Sequence, residues 1–168
     1  MFEEDKRISS LLNIWKIASN RMPEWKLLIV GGGEELEYWK GKAEEMKLQR
    51  YYFVGTADPR PYYETASIYV MTSNTEAWGM TLLEAMSYSC APILFNSYAS
   101  ARTIINNKSC GILINPYNER QFAKSIVKLS REENLRQSIA MNANKRCLEF
   151  GTEGIVKQWE ELLFSVKK

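Results

Sequence analysis

At 168 residues the chain fits one domain and can bury a core of its own, and 45% apolar with 25% charged residues is an ordinary globular balance that argues against disorder. The 22 Lys and Arg exceed the 20 Asp and Glu by only two, with no dense basic run, so no nucleic-acid partner is expected. Cys90, Cys110 and Cys147 lack paired C-x-x-C spacing and the chain has no His, which suggests a reducing compartment and neither a disulfide framework nor a metal site.

The start "MFEEDKRISS" is charged, and no apolar run approaches bilayer length. "SSLLNIWKIA" places Leu11, Leu12, Trp15 and Ala18 on one helical face, and "KLLIV" (Lys26 to Val30) reads as a strand buried on both sides. "ELEYWKGKAEEMKL" is a helix with Leu36, Trp39, Ala43 and Met46 inward. The strand "YYFVG", the helix "RPYYETA" and the strand "SIYVMTS" follow. Met80 to Ser89 is a helix, "APILFN" a strand, Ser100 to Ile105 a short helix and "GILIN" the last strand. Beyond Pro116 the pattern is only helical, with C-terminal helices over about 132–168. In the last of these, Ile155, Trp159, Leu162 and Leu163 form an apolar stripe expected to be partly exposed or docked on a neighbouring molecule.

Strands separated by helices of this length need crossover connections. The expected fold is therefore α/β and Rossmann-like: a parallel sheet of about five strands with helices on both faces. Ligands of such sheets lie outside the strands' carboxyl ends, which directs attention to the loops 31–35, 55–62, 72–81, 96–101 and 115–119.

Two of these loops carry chemistry. In "IVGGGEEL", Gly31 and Gly33 belong to a glycine cluster directly after a strand, where the backbone can approach an anion closely. A dinucleotide fingerprint would want a further glycine where Leu36 stands and an acid closing the next strand, which instead reads Val54-Gly55. NAD is therefore disfavoured, and a tight turn without a ligand stays open. In Ser73 to Pro92, Gly79 leads into a helix whose first amides, on Met80 and Thr81, suit a diphosphate. Glu76 precedes that helix and Glu84 lies one turn inside it. Flanking acids of this kind can hold sugar and ribose hydroxyls, although solvated acids or, for Glu76, a helix-start acid are the plainer readings.

"SNTEAWGMTLLEAMSYSCAP" resembles the donor-site signature of the retaining glycosyltransferases of family 4 (glycosyl transferases group 1), usually written E-G-F-G, then L-L-E-A-M-A and G-x-P. The similarity extends through "IVGGGEEL", "YYFVGTADPRPYYETASIYVMTS" and "CGILINPYNERQFAKSI". The resemblance implies the C-terminal, nucleotide-sugar-binding half of a two-domain GT-B enzyme. Such an enzyme transfers a hexose from a nucleotide diphosphate sugar to a glycan or lipid-linked acceptor, without a cofactor or metal. It further implies that Glu76 contacts the transferred sugar, Glu84 the ribose, and the amides of Met80 and Thr81 the diphosphate. The base would rest against Thr56, Ala57 and Asp58, and Lys6, in "EDKR", would face the charge of the leaving diphosphate. Ala77 stands where the family has glycine, Trp78 where it has Phe, and Ala91 replaces the glycine before the proline. Trp78 could shape the sugar pocket or simply pack.

The family's partnering arginine falls at Met1, so the expectation is a domain cut within its first loop, lacking its first strand and the N-terminal acceptor domain. Taken alone, the chain is expected to be inactive. A cytoplasmic location is expected, with at most peripheral contact at the inner face of a membrane through the other half. Two further classes stay open, a non-catalytic nucleotide-binding module and half of a nucleotide-sugar 2-epimerase. A signalling receiver is disfavoured because the strand ends Val30, Val54, Met71, Phe95 and Ile114 include no acid.

Overall fold

The computed structural model describes residues 4–165. A 3-10 turn at Glu4–Lys6 leads into α1 (Ile8–Ala18), β1 (Leu27–Val30), α2 (Leu36–Glu45), β2 (Tyr51–Gly55), α3 (Arg60–Thr65) and β3 (Ile68–Met71). Then come α4 (Met80–Ser87), β4 (Ala91–Phe95), α5 (Ala99–Ile104), β5 (Ile112–Ile114), α6 (Glu119–Arg131), α7 (Glu133–Leu148) and α8 (Thr152–Ser165). All five expected strands form, and every strand pair is parallel.

The strands do not form one continuous ladder. β1 pairs with β2, Leu27 opposite Tyr51, while β3, β4 and β5 form a separate ladder with Ile68 opposite Ala91 and Ile93 opposite Ile112. Apolar runs specify which segments become strands but not which edges meet. Hence the expected five-stranded sheet appears as two parallel sets side by side.

β4 is the centre, buried along its whole length. Its alternating side chains face two cores. Ala91, Ile93 and Phe95 join Leu12, Ile14 and Trp15 of α1, Phe122 and Ile126 of α6, and Leu27 and Ile29 of β1 in one apolar cluster. Leu94 faces a second cluster with Leu82 and Met86 of α4, Ile104 of α5 and Ala143 of α7. Helices thus cover both faces, and α1 and α6 hold the two strand sets together. Asn118 fixes the start of α6 by accepting a hydrogen bond from the Gln121 amide at 3.0 Å, and the Trp15 indole N–H ties α1 to the Gln49 carbonyl at 2.8 Å. All three cysteines are free and buried. Burial pushes the Cys90 thiol up to about 11.

α8 differs from the other helices. None of its residues is buried, and Ile155, Val156, Trp159, Leu162, Leu163 and Phe164 all face outward. The apolar stripe expected from the sequence is exposed.

Phe122 is fully buried with its ring edge-on to Phe95 at 4.9 Å, at the junction of α6 with the central strand. Phe122→Ala is expected to lower the unfolding free energy by about 3–5 kcal/mol, measured by urea titration. A loss below about 1 kcal/mol would show that the core does not centre there.

Candidate functional site

The carboxyl ends of β1, β2 and β3 open onto one cleft of about 850 Å³, lined at this end by Lys6, Gly31, Gly32, Thr56, Ala57, Thr72, Ser73, Glu76 and Thr81. Its walls are built from loops that the strands bring together. The Gly31 amide donates to the Gly55 carbonyl at 2.9 Å, locking the loop after β1 to the end of β2. A Cβ added at Gly32 would lie 2.3 Å from Thr56 Oγ1, so the two loops close to this distance only because position 32 has no side chain.

The 3-10 turn carrying Lys6 is fastened to the loop after β3. The Asn74 amide donates to the Asp5 carbonyl at 2.6 Å, and the buried Thr72 hydroxyl donates to the Lys6 carbonyl at 2.9 Å. This anchoring places Lys6 Nζ 2.7 Å from Glu76 Oε1, across 70 positions of sequence. The lysine side chain is 40% exposed and the glutamate 14%. Arg7, in left-handed backbone geometry (φ 53°), lays its guanidinium over the Tyr117 ring at 3.9 Å and so adds the loop before α6 to the same assembly.

Glu76 does not cap α4. The N-cap is Gly79, at φ 92° and ψ 48°, with no side-chain cap, and its carbonyl accepts from Leu82 and Leu83 at 3.0 and 3.2 Å. The amides of Met80 and Thr81 donate to no group among the described residues, which leaves them free for an anion. The Tyr69 hydroxyl donates to Thr81 Oγ1 at 2.9 Å, closing the cleft side of that first turn. Ala77 is not among the described residues with positive φ, so the alanine in the glycine position is unstrained.

The other candidates lie around the cleft rather than in its lining. Glu84 is exposed and accepts from the Tyr63 hydroxyl at 3.3 Å, on the side of α4 toward α3. Burial, and then the Glu84 charge, push the Tyr63 hydroxyl well above its ordinary pKa. Asp58 accepts from the backbone amide and guanidinium of Arg60, and that hydrogen bonding holds its carboxyl below the usual range. Asp58, two residues ahead of α3, is therefore held to the first residue of that helix, while Thr56 and Ala57 face the cleft. Trp78 packs edge-on against Phe150 at the end of α7, 5.8 Å between ring centres, which favours packing over sugar recognition for that side chain. Gly33 turns the chain at φ 154° without lining the cleft, and Met80 presents an exposed side chain above its free amide.

Gly32, Thr72, Asn74 and Arg7 were not legible as site residues. Gly32 stood inside the recognised glycine cluster and Arg7 beside Lys6, but the hydroxyl and amide that anchor the turn carry no sequence signal of their partners. Among the described residues no three His, Cys, Asp or Glu stand together as metal ligands, and no helix is long and apolar enough to cross a membrane.

A parallel α/β domain whose glycine loop, free helix amides and paired Lys and Glu converge at the strands' carboxyl ends belongs to the Rossmann-like class that receives phosphorylated ligands there. Residues 1–146 match the family described as Glycosyl transferases group 1, and the chain belongs to that family. It is 28% identical over 160 residues to an uncharacterized glycosyltransferase of Haemophilus influenzae, covering 94% of this chain and 45% of that protein. It is 31% identical over 166 residues to the amylovoran biosynthesis glycosyltransferase AmsD of Erwinia amylovora, covering 94% and 44%. The chain thus spans less than half the length of these relatives. Among solved structures it resembles an S. aureus TarM mutant in complex with fondaparinux, alpha-GlcNAc-glycerol and UDP, with a TM-score of 0.88, 24% identity and coverage of 96% of this chain and 33% of that one. The fold is that of GT-B glycosyltransferase domains.

Two substitutions test the local geometry with opposite signs. Gly79→Ala is expected to cost about 1–2 kcal/mol of stability because its backbone is left-handed. Gly41→Ala, in the interior of α2 with nothing within 4 Å of the added methyl, is expected to gain about 0.5–1 kcal/mol. Denaturant titrations giving the same sign for both would contradict the assigned helix start.

Proposed function

We propose that this chain is the donor-binding domain of a retaining glycosyltransferase of family 4, which moves a hexose from a nucleotide diphosphate sugar to a glycan or lipid-linked acceptor. The observation that carries the reading is the Lys6–Glu76 pair beside the free amides of Met80 and Thr81. In this assignment the diphosphate lies on those amides and draws Lys6 onto its charge, which frees Glu76 to accept hydrogen bonds from hydroxyls of the transferred sugar. The base rests against Thr56 and Ala57, with Asp58 shaping the loop through Arg60. Glu84, exposed and bonded by the Tyr63 hydroxyl, accepts from the ribose hydroxyls.

The lysine and the helix amides meet the diphosphate charge, so the assignment includes no resident metal or cofactor. Leaving-group charge builds against groups already in place, the kind of preorganised stabilisation that lowers a transition state more than a ground state. The acceptor is bound by a second, N-terminal domain, and any membrane contact is peripheral and belongs to that half. The setting is the cytoplasm. Family membership, relatives named as glycosyltransferases and the UDP held in the similar TarM structure support this reading.

UDP, GDP and ADP sugars, screened by thermal shift on the 168-residue chain, are expected to include one nucleotide class that raises the melting temperature with concentration. Glu84→Ala should weaken the corresponding nucleoside diphosphate by about 1.5–3 kcal/mol in calorimetry. In the two-domain enzyme, Glu76→Gln should lower kcat/KM by about 10²-fold while leaving nucleoside diphosphate affinity nearly unchanged. A full-length Glu76→Gln enzyme of normal activity would remove Glu76 from the sugar site. Robust transfer by the 168-residue chain alone would overturn the two-domain assignment.

A further inference from the structure

We propose that the groove between α1 and α6 is a second binding site, which takes a small phosphate monoester whose esterified group is apolar and one ring in size. This does not rest on the donor assignment. The groove encloses about 240 Å³ and is lined by Ile17, Arg21, Arg120, Ala123, Lys124 and Val127, none of which lines the cleft at the strands' carboxyl ends. Ile17 lies in the last turn of α1, and Arg21 ends the 3-10 turn Ser19–Arg21 that prolongs it. On α6, Ala123 and Val127 stand four positions apart, as do Arg120 and Lys124, which sets an apolar stripe beside a cationic one. Ala123 and Val127 are buried and form the floor, while the three cationic residues are exposed.

The charge of this groove is uncompensated. The side chains of Arg21, Arg120 and Lys124 have no ion-pair or hydrogen-bond partner among the described residues, whereas the next cations along α6 are engaged: Lys128 with Glu132 at 3.9 Å, and Arg131, whose guanidinium donates to the Arg21 carbonyl at 3.2 Å. Over residues 8–21 and 119–131, six Lys and Arg stand against one acid, Glu119, in a chain whose net charge is only +2. Like charges gathered on a concave wall repel one another and concentrate the field that draws a counter-ion.

The same residues define the ligand. Each arginine offers a planar pair of donors that fits phosphate oxygens, and Lys124 adds a point charge. A phosphate monoester, at about −1.5 to −2, balances three cations better than a carboxylate does. Ile17, Ala123 and Val127 offer no hydrogen-bond partner to sugar hydroxyls, so the body of the ligand is apolar. The volume falls below the roughly 300 Å³ at which pockets for drug-sized ligands begin, so the groove admits one ring and excludes a nucleoside diphosphate.

Phenyl phosphate is the probe, titrated onto the isotope-labelled 168-residue chain with amide-resolved NMR as the readout. The amides of Ile17, Ala123, Lys124 and Val127 are expected to shift saturably with a Kd below about 1 mM, and inorganic phosphate and phenol, which each carry half of the chemistry, should each bind about tenfold more weakly or worse. Arg120→Gln with Lys124→Gln, both at exposed positions, should leave the melting temperature nearly unchanged and weaken phenyl phosphate by about tenfold or more. Ile17→Glu, which places a carboxylate in the apolar wall, should weaken it as much. Shifts confined to Met80, Thr81 and their cleft would overturn the proposal, as would affinity unchanged in both variants or equal for phenyl phosphate and inorganic phosphate. Cosedimentation with vesicles of phosphatidylcholine and phosphatidic acid tests the other source of phosphate. Vesicle binding that the double variant abolishes, without saturable phenyl phosphate shifts, would assign the cations to a membrane surface and overturn the small-molecule site.

Discussion

Parallel strands cannot be joined by tight turns, so each connection in this chain crosses a face of the sheet and returns to begin the next strand at the same edge. The carboxyl ends of β1, β2 and β3 consequently meet along one rim, and the loops that line the cleft leave from it. Apart from their tyrosines, the apolar runs that form the strands carry no polar side chains. They place the glycine loop after β1, the Thr56 loop after β2 and the Glu76 loop after β3 within one cleft. Helix starts turn toward the same rim, which is why the unpaired amides of α4 face the cleft without a residue dedicated to that purpose.

Within that rim, the pairing of Lys6 with Glu76 depends on less conspicuous contacts. The lysine is carried on a short 3-10 turn that has little core of its own, and the Asn74 amide and Thr72 hydroxyl hold the backbone of that turn to the loop after β3. Arg7, over Tyr117, extends the brace to the loop before α6. Three distant stretches are thus fixed together by one backbone hydrogen bond, one hydrogen bond from a threonine hydroxyl to a backbone carbonyl and one cation–π contact, leaving the two charged side chains free to exchange partners. Such an arrangement suits an anionic ligand: Lys6 is already positioned and remains 40% exposed, so it can turn from carboxylate to phosphate without unfolding its support.

Much of the fold was legible because strand and helix are written in periodicities that need no tertiary information. "KLLIV", "YYFVG" and "APILFN" could scarcely be other than buried strands between helical patterns. The edge pairing was not legible, since β1 and β3 carry equally apolar runs whether or not they meet. At the site, the loops and Glu76 followed from the rim rule and the motif, but the partner of Glu76 did not. A helix-start role was the plainest reading of that acid from sequence, whereas its carboxylate goes to a lysine 70 positions away. Glu84 and Trp78 show the same limit, because Tyr63 and Phe150, which hold them, are remote in sequence. Side-chain direction at a loop is set by whichever element packs behind it, and periodicity does not encode that.

The central claim is that the rim formed by Gly31, Thr56, Glu76 and the start of α4 receives a nucleoside diphosphate. An amide-resolved NMR titration of the isotope-labelled 168-residue chain with UDP, repeated with GDP and ADP, tests it most directly. The account predicts that one of the three shifts the amides of Gly31, Gly32, Thr56, Met80 and Thr81 in a saturable manner while those of α6 and α7 stay in place. Saturable shifts confined to other surfaces, or no shifts with any of the three at millimolar concentration, would contradict it.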